Sequence, residues 1–203
     1  MGRPKEFIAE DALTQATRVF WTKGYEATTM VDLLTATGLS KSSLYETFGS
    51  KRDLFLAALS GYCDERTQMM RELLQSRATA REAITAFFAL IVEQARQEGR
   101  PFGCLSCNEA AQMEAHDTEV QRVVARDLDS MEAAFAEVID RGHADGSIPP
   151  QVDSRRHARF LNTLHHGLQL MARTRSVDRM EDTVAVALAA LDQADGLARP
   201  ASQ

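Results

Sequence analysis

Two groups of side chains in this sequence have types and spacings that can do chemistry. The denser group lies from Thr28 to Phe48, TTMVDLLTATGLSKSSLYETF. It holds hydroxyls at Thr28, Thr29, Ser40, Ser42 and Ser43, a phenol at Tyr45 and an ammonium at Lys41, with Lys51 and Arg52 just beyond. The second group is Cys104-Leu105-Ser106-Cys107, two thiols at i and i+3 after a proline and a glycine. In the first turn of a helix the positive helix end favours thiolate, so such cysteines can be oxidised or alkylated. Equally, cysteine is a small apolar side chain that is often buried, and both readings stay open.

The elements that position the first group can be read from its own residues. Thr28 or Thr29 can cap a short helix through Met30, Leu33 and Leu34, because an N-cap hydroxyl accepts an orphan backbone N–H. Gly38 supplies a turn, and Ser40 is placed to cap a second helix from Lys41 to Thr47. Leu44 and Phe48 face inward on it, which leaves Lys41, Ser42, Ser43 and Tyr45 outward. Two short helices crossed over a glycine turn form a helix-turn-helix, whose second helix can enter a DNA major groove. Before it, Ile8, Ala9, Leu13, Ala16 and Phe20 recur at helical spacing up to Lys23-Gly24; after it, Ser50 can cap a long helix to about Gln75 that carries Phe55, Leu59, Tyr62, Met69, Met70 and Leu73.

Further helices are expected at 79–98, over CLSCNEAAQM, from Asp117 to about Gly142, from Asp153, and through Met180 to Leu191. No strand-like alternation and no internal repeat interrupts them, so the fold class is all-α. The expected domains are 1–52, with the helix-turn-helix at 28–48; a larger 53–195; and a fraying tail at 196–203.

Composition narrows the function classes. The chain has 203 residues, 44% of them hydrophobic and 26% charged, which is a globular balance. No run approaches the ~20 apolar residues of a membrane span, and MGRPKEF lacks the apolar core of a signal peptide, so a cytoplasmic location is expected. Three cysteines are too few, and odd in number, for a secreted disulfide framework. The net charge of −6 is unusual for a nucleic-acid binder, but residues 1–55 hold seven basic side chains against seven acidic ones, so the negative excess lies beyond them. No glycine-rich phosphate loop, no βαβ setting for CxxC and no recognisable carboxylate pair points to an enzyme or a cofactor. A zinc site would need His165 or His166 from a distant helix, and adjacent histidines on a helix diverge by about 100°.

Taken together, Phe20-x-x-Lys23-Gly24-Tyr25, Thr28-Thr29, Gly38-Leu39-Ser40-Lys41-Ser42-Ser43-Leu44-Tyr45, Phe48 and Lys51-x-x-Leu54-Phe55 resemble the TetR family of transcriptional regulators. The resemblance covers about the first quarter of the chain. It implies a homodimer that binds a palindromic operator, most often as a repressor, and releases it when a small molecule occupies the larger domain. It implies that Lys41, Ser42 and Ser43 reach base edges or nearby phosphates, that Tyr45 and Lys51 hold the backbone, that Thr28 or Thr29 meets a phosphate at a helix N-terminus, and that Arg3 enters a minor groove. Thr47 departs from the His or Tyr common before the Phe, and Leu34 from the small residue common between the two helices.

The resemblance further implies dimerisation through the last two helices, about 154–174 and 178–193. It also implies an effector pocket bordered by some of Tyr62, Met69, Phe87, Phe88, Phe102, Met113, Phe135 and His165. Cys104 and Cys107 are the candidates for thiol sensing. The alternative functions are a cysteine-based redox protein or enzyme built on that pair, and a helical adaptor with no DNA target.

Overall fold

The computed structural model describes residues 5–97, 103–112 and 117–192. They form nine helices and no strand: α1 Lys5–Lys23, α2 Met30–Thr37, α3 Lys41–Phe48, α4 Lys51–Gln75, α5 Ala80–Arg96, α6 Leu105–Gln112, α7 Thr118–Asp145, α8 Ser154–Arg173 and α9 Val177–Ala190. Their starts follow the sequence. Thr29 and Thr79 each accept from the backbone N–H three residues on, while Asp32 and Glu82 accept from the cap's own N–H. Ser50 and Asp53 make the same reciprocal pair ahead of α4, and Asp153 accepts from the Arg156 N–H at the start of α8.

Packing divides the chain into two compact units. The first comprises Met1–Arg66 with Leu105–Ala125, the second Thr67–Cys104 with Arg126–Gln203. The boundary thus differs from the one expected between residues 52 and 53. The physical reason is a shared core: Phe55, Leu59 and Cys63 of α4 and Leu105 of α6 are buried in one cluster with Phe20, Leu33 and Leu44. Aromatic rings lock that cluster. Phe20 meets Phe55 edge-on with centroids 5.2 Å apart, Tyr25 lies 4.7 Å from Phe55, and Trp21 meets Tyr62 at 5.0 Å. Arg52, at the start of α4, bonds Asp117 at 2.5 Å and Glu119 at 3.3 Å.

The second unit is built around Ile84 and Phe88 of α5, Met131, Phe135 and Ile139 of α7, Leu161 and Leu168 of α8, and Met180 of α9, all fully enclosed. Exposed ion pairs of Arg81 with Asp192 and Arg96 with Glu181 join the flank of α5 to the chain in and after α9. Not every residue of the expected apolar stripes turns inward. Thr67, Met70 and Leu74 form the buried line of α4, which puts Met69, about 100° from Met70, on the surface. Leu90 and Phe160 are exposed for the same reason. No described helix is long and apolar enough to cross a membrane.

Candidate nucleic-acid interface

Within the first unit, α2 and α3 are joined by Gly38 and Ser40. Gly38 adopts φ +67°, a left-handed conformation that glycine takes without a Cβ penalty, and its N–H donates to the Leu34 carbonyl at 3.0 Å. Ser40 then caps α3 by accepting from the Ser43 N–H at 3.1 Å. Leu44 is fully enclosed and holds α3 against the core, while Lys41, Ser42 and Tyr45 are exposed.

These outward side chains are partly ordered by their neighbours. The Lys41 ammonium stands 6.0 Å from the Tyr45 ring centroid, one turn along α3, so a cation and a phenol share one edge of the helix. The Ser42 and Ser43 hydroxyls lie 3.0 and 2.8 Å from the Ser40 hydroxyl. Lys51 sits over the Tyr25 ring at 4.3 Å, which places its charge beside the core at the start of α4. Arg52, by contrast, is engaged by Asp117 and Glu119, and the hydrogen bond it donates to Asp117 first, then the Asp117 charge and the Glu119 contact, raise its already high pKa further.

The two threonines are placed differently from expectation. Thr28 is buried, and its hydroxyl donates to the Gly24 carbonyl at 2.7 Å, so it stabilises the turn after α1 and has no surface to offer a phosphate. Thr29 is exposed, but both its donors are taken: its N–H reaches Asp32 at 2.9 Å and its hydroxyl the same carboxylate at 2.8 Å. Lys23 binds the other oxygen of Asp32 at 2.5 Å. That contact first, then the Thr29 N–H and hydroxyl, lowers the Asp32 pKa to about 2. A carboxylate charged at neutral pH at the start of α2 disfavours a phosphate there. Arg3 lies outside the described residues.

The expected effector residues do not all come together. Phe87, Phe88, Phe135 and His165 do: Phe87 meets Phe88 at 5.2 Å, Phe135 at 5.4 Å and His165 at 5.5 Å, inside the second unit. Tyr62 instead packs on Trp21 in the first unit, and Met69 is at the surface. Phe102 and Met113 lie outside the described residues. Cys104 is buried one residue ahead of α6 in the second unit, so it is not in the helix itself; Cys107 is half-buried on α6 and counts with the first unit.

Five buried polar residues escaped the sequence reading: Thr67, Glu109, Asp127, His157 and Asn162. Burial raises the Glu109 pKa from 4.5 to about 7. The available signal was a polar residue at an apolar-stripe position, such as Asn162 between Leu161 and His165. Helical spacing alone does not say on which side of a stripe the core ends.

Comparisons with known proteins agree with this geometry. The sequence model of the family described as bacterial regulatory proteins, tetR family, matches residues 12–58, and that of the tetracyclin repressor-like C-terminal domain matches residues 78–188. The HTH-type transcriptional regulator YezE of Bacillus subtilis strain 168 is 36% identical, covering 95% of this chain and all of the relative. The HTH-type transcriptional repressor ComR of Escherichia coli K12 is 31% identical, over 85% of this chain and 82% of its own. Among solved structures, a cysteine mutant of the TetR family regulator CifR, complexed with a 26-bp double-strand operator DNA, superposes with a TM-score of 0.80 at 30% identity, covering 94% of this chain and all of that one. With one family model on the helix-turn-helix and a second on the larger helical region, the chain belongs to the TetR family of transcriptional regulators.

Proposed function

We propose that this regulator is a repressor that binds a palindromic operator as a homodimer, in the cytoplasm, and is released by a small molecule. The observation that carries the reading is α3: a short helix capped by Ser40 and held by buried Leu44, with Lys41, Ser42 and Tyr45 presented outward. Lys41 and Ser42 meet base edges or the adjoining phosphates, Tyr45 and Lys51 hold the backbone, and Ser43 serves chiefly the cap. Residues 1–55, which contain the helix-turn-helix, are charge-balanced, so affinity depends on these few placed cations and on two recognition helices set about 34 Å apart.

Dimerisation is supported by α8 and α9. Phe160, Leu170 and Val186 are 44%, 65% and 72% exposed, although the opposite face of each helix is buried in its own unit. Gly167 stands between Phe160 and Leu170 on α8, within about 80° of both, with no atom within 4 Å of where a Cβ would be. A mid-helix glycine weakens a lone helix, and here it permits close approach of a second one.

Thiol sensing by Cys104 and Cys107 is a second reading, supported by Cys107 at the start of α6. Enclosure of Cys104 requires local opening before an oxidant reaches it. Cys104→Ser is expected to keep operator binding and to lose its sensitivity to diamide; an unchanged response removes that residue from the mechanism.

The repressor reading is tested by fluorescence anisotropy with the duplex upstream of the protein's own gene. Specific binding is expected, and Lys41→Ala with Tyr45→Ala is expected to abolish it without lowering the melting temperature. Binding no tighter than to random duplex at low salt would overturn the reading.

A further inference from the structure

Leu44 is the fully enclosed side chain of α3, so it marks the direction of the core. At about 100° per residue, Ser42 and Glu46 each point about 160° away from it, whereas Tyr45 lies about 100° and Lys41 about 60° round from it. Both Ser42 and Glu46 are exposed. The side chains directed straight out from the first unit are therefore a short hydroxyl and a long carboxylate, while Lys41 and Tyr45, in contact at 6.0 Å, occupy one flank of the helix. The Ser42 hydroxyl stands 3.0 Å from that of Ser40, back at the helix start, which leaves Glu46 with the longer outward reach.

Three acidic side chains lie between Thr28 and Asp53, and two of them serve caps. Asp32 is held by Thr29 and Lys23, and Asp53 by Ser50. Glu46 starts no helix. It stands in the last turn of α3, at the negative end of the helix dipole, where a carboxylate is disfavoured.

When α3 enters a major groove, its flanks face the phosphates along the walls and its outward line faces the base edges on the floor. A carboxylate is repelled by phosphate, and it can only accept hydrogen bonds. Thymine O4 and guanine O6 and N7 are acceptors and repel it as well, so the available donors are the amino groups of cytosine and adenine. Those two bases differ beside the donor. Adenine sets its acceptor N7 next to the N6 amino group, opposite the second carboxylate oxygen, whereas cytosine presents the N4 donor with no acceptor of its own in that groove.

We propose that Glu46 is a specificity-determining residue whose carboxylate accepts a hydrogen bond from the N4 amino group of one cytosine in each operator half-site. This assignment rests on the operator-binding reading and deepens it by naming a base that the half-site must contain.

The test is selection of bound duplexes from a randomised pool by the full-length protein, followed by fluorescence anisotropy at fixed salt on the selected sequence and its single-pair substitutions. The parent is expected to select the same C·G pair in both half-sites and to lose about tenfold or more in affinity when that pair is replaced. Glu46→Ala is expected to bind all four pairs at that position within about twofold, and to bind random duplex more tightly than the parent because a charge that opposes phosphate has gone. Glu46→Gln keeps the side-chain shape and offers a donor beside an acceptor, so it is expected to move the preference at that position from cytosine to adenine. It also carries the test if Glu46→Ala does not fold. A selected site without a shared cytosine, or base preferences that are the same at every position in the parent and both variants, would overturn the assignment and leave operator binding standing. A pool from which the parent selects no sequence would overturn the operator-binding reading as well.

Discussion

At the scale of single residues, the contrast between Thr29 and Lys41 separates holding the interface from forming it. Thr29 is an N-cap whose hydroxyl and N–H are both engaged by Asp32, so Thr29→Ala is expected to cost about 1 kcal/mol of stability, read by thermal unfolding. The salt dependence of operator binding should not change. Lys41→Ala should do the reverse: melting temperature retained, and the slope of log affinity against log salt reduced by about one per subunit. Two carboxyls give opposite pH signatures. Asp32, lowered from 3.8 to about 2, contributes stability that is complete above its unfolded value and lost only as pH falls through about 2. Glu109 is raised from 4.5 to about 7, so between those values the folded state holds a proton that the unfolded chain releases, and stability falls as pH rises through that window. Glu109→Gln is expected to raise the melting temperature at pH 8 and leave it nearly unchanged at pH 4; an equal gain at both would assign the effect to packing.

At the scale of elements, the caps and turns were legible because their chemistry is local. Thr29, Gly38, Ser40 and Ser50 each do in three dimensions what a residue of that type at that spacing should do. The two turn glycines should nevertheless differ in their tolerance of change. At Gly38 a Cβ meets nothing within 4 Å, so Gly38→Ala should cost only the left-handed backbone, about 1–2 kcal/mol. At Gly49, with φ +83°, a Cβ would lie 2.7 Å from Asp53 Oδ2 and would push that carboxylate off the Ser50 cap. Gly49→Ala is therefore expected to be the more destabilising, and equal melting temperatures for the two variants would contradict this account of the α4 start. The face each helix buries was less legible. Met69 and Met70 are equivalent to a pattern of apolar residues, and only contact with the other helices decides which one is enclosed.

At the scale of the whole molecule, dimerisation is expected to depend on the exposed side of α8. Gly167→Leu fills the space beside Phe160 and Leu170 and should yield a helical monomer in sedimentation experiments, with operator binding reduced at least a hundredfold, whereas Gly167→Ala should keep the dimer. A dimeric Gly167→Leu protein would place the interface elsewhere. The sequence by itself determined the all-α class, the helix-turn-helix and the side chains that α3 turns outward. These follow from hydrogen bonds and steric preferences acting within a few residues. Only the tertiary structure decided that the first half of α4 and α6 share the core of the first unit, that Thr28 is a buried turn residue, and that Thr67, Asn162 and His165 are enclosed in the second unit. Burial is a sum over contacts between residues distant in the chain, and a polar side chain carries no local mark of the partner it will have to find.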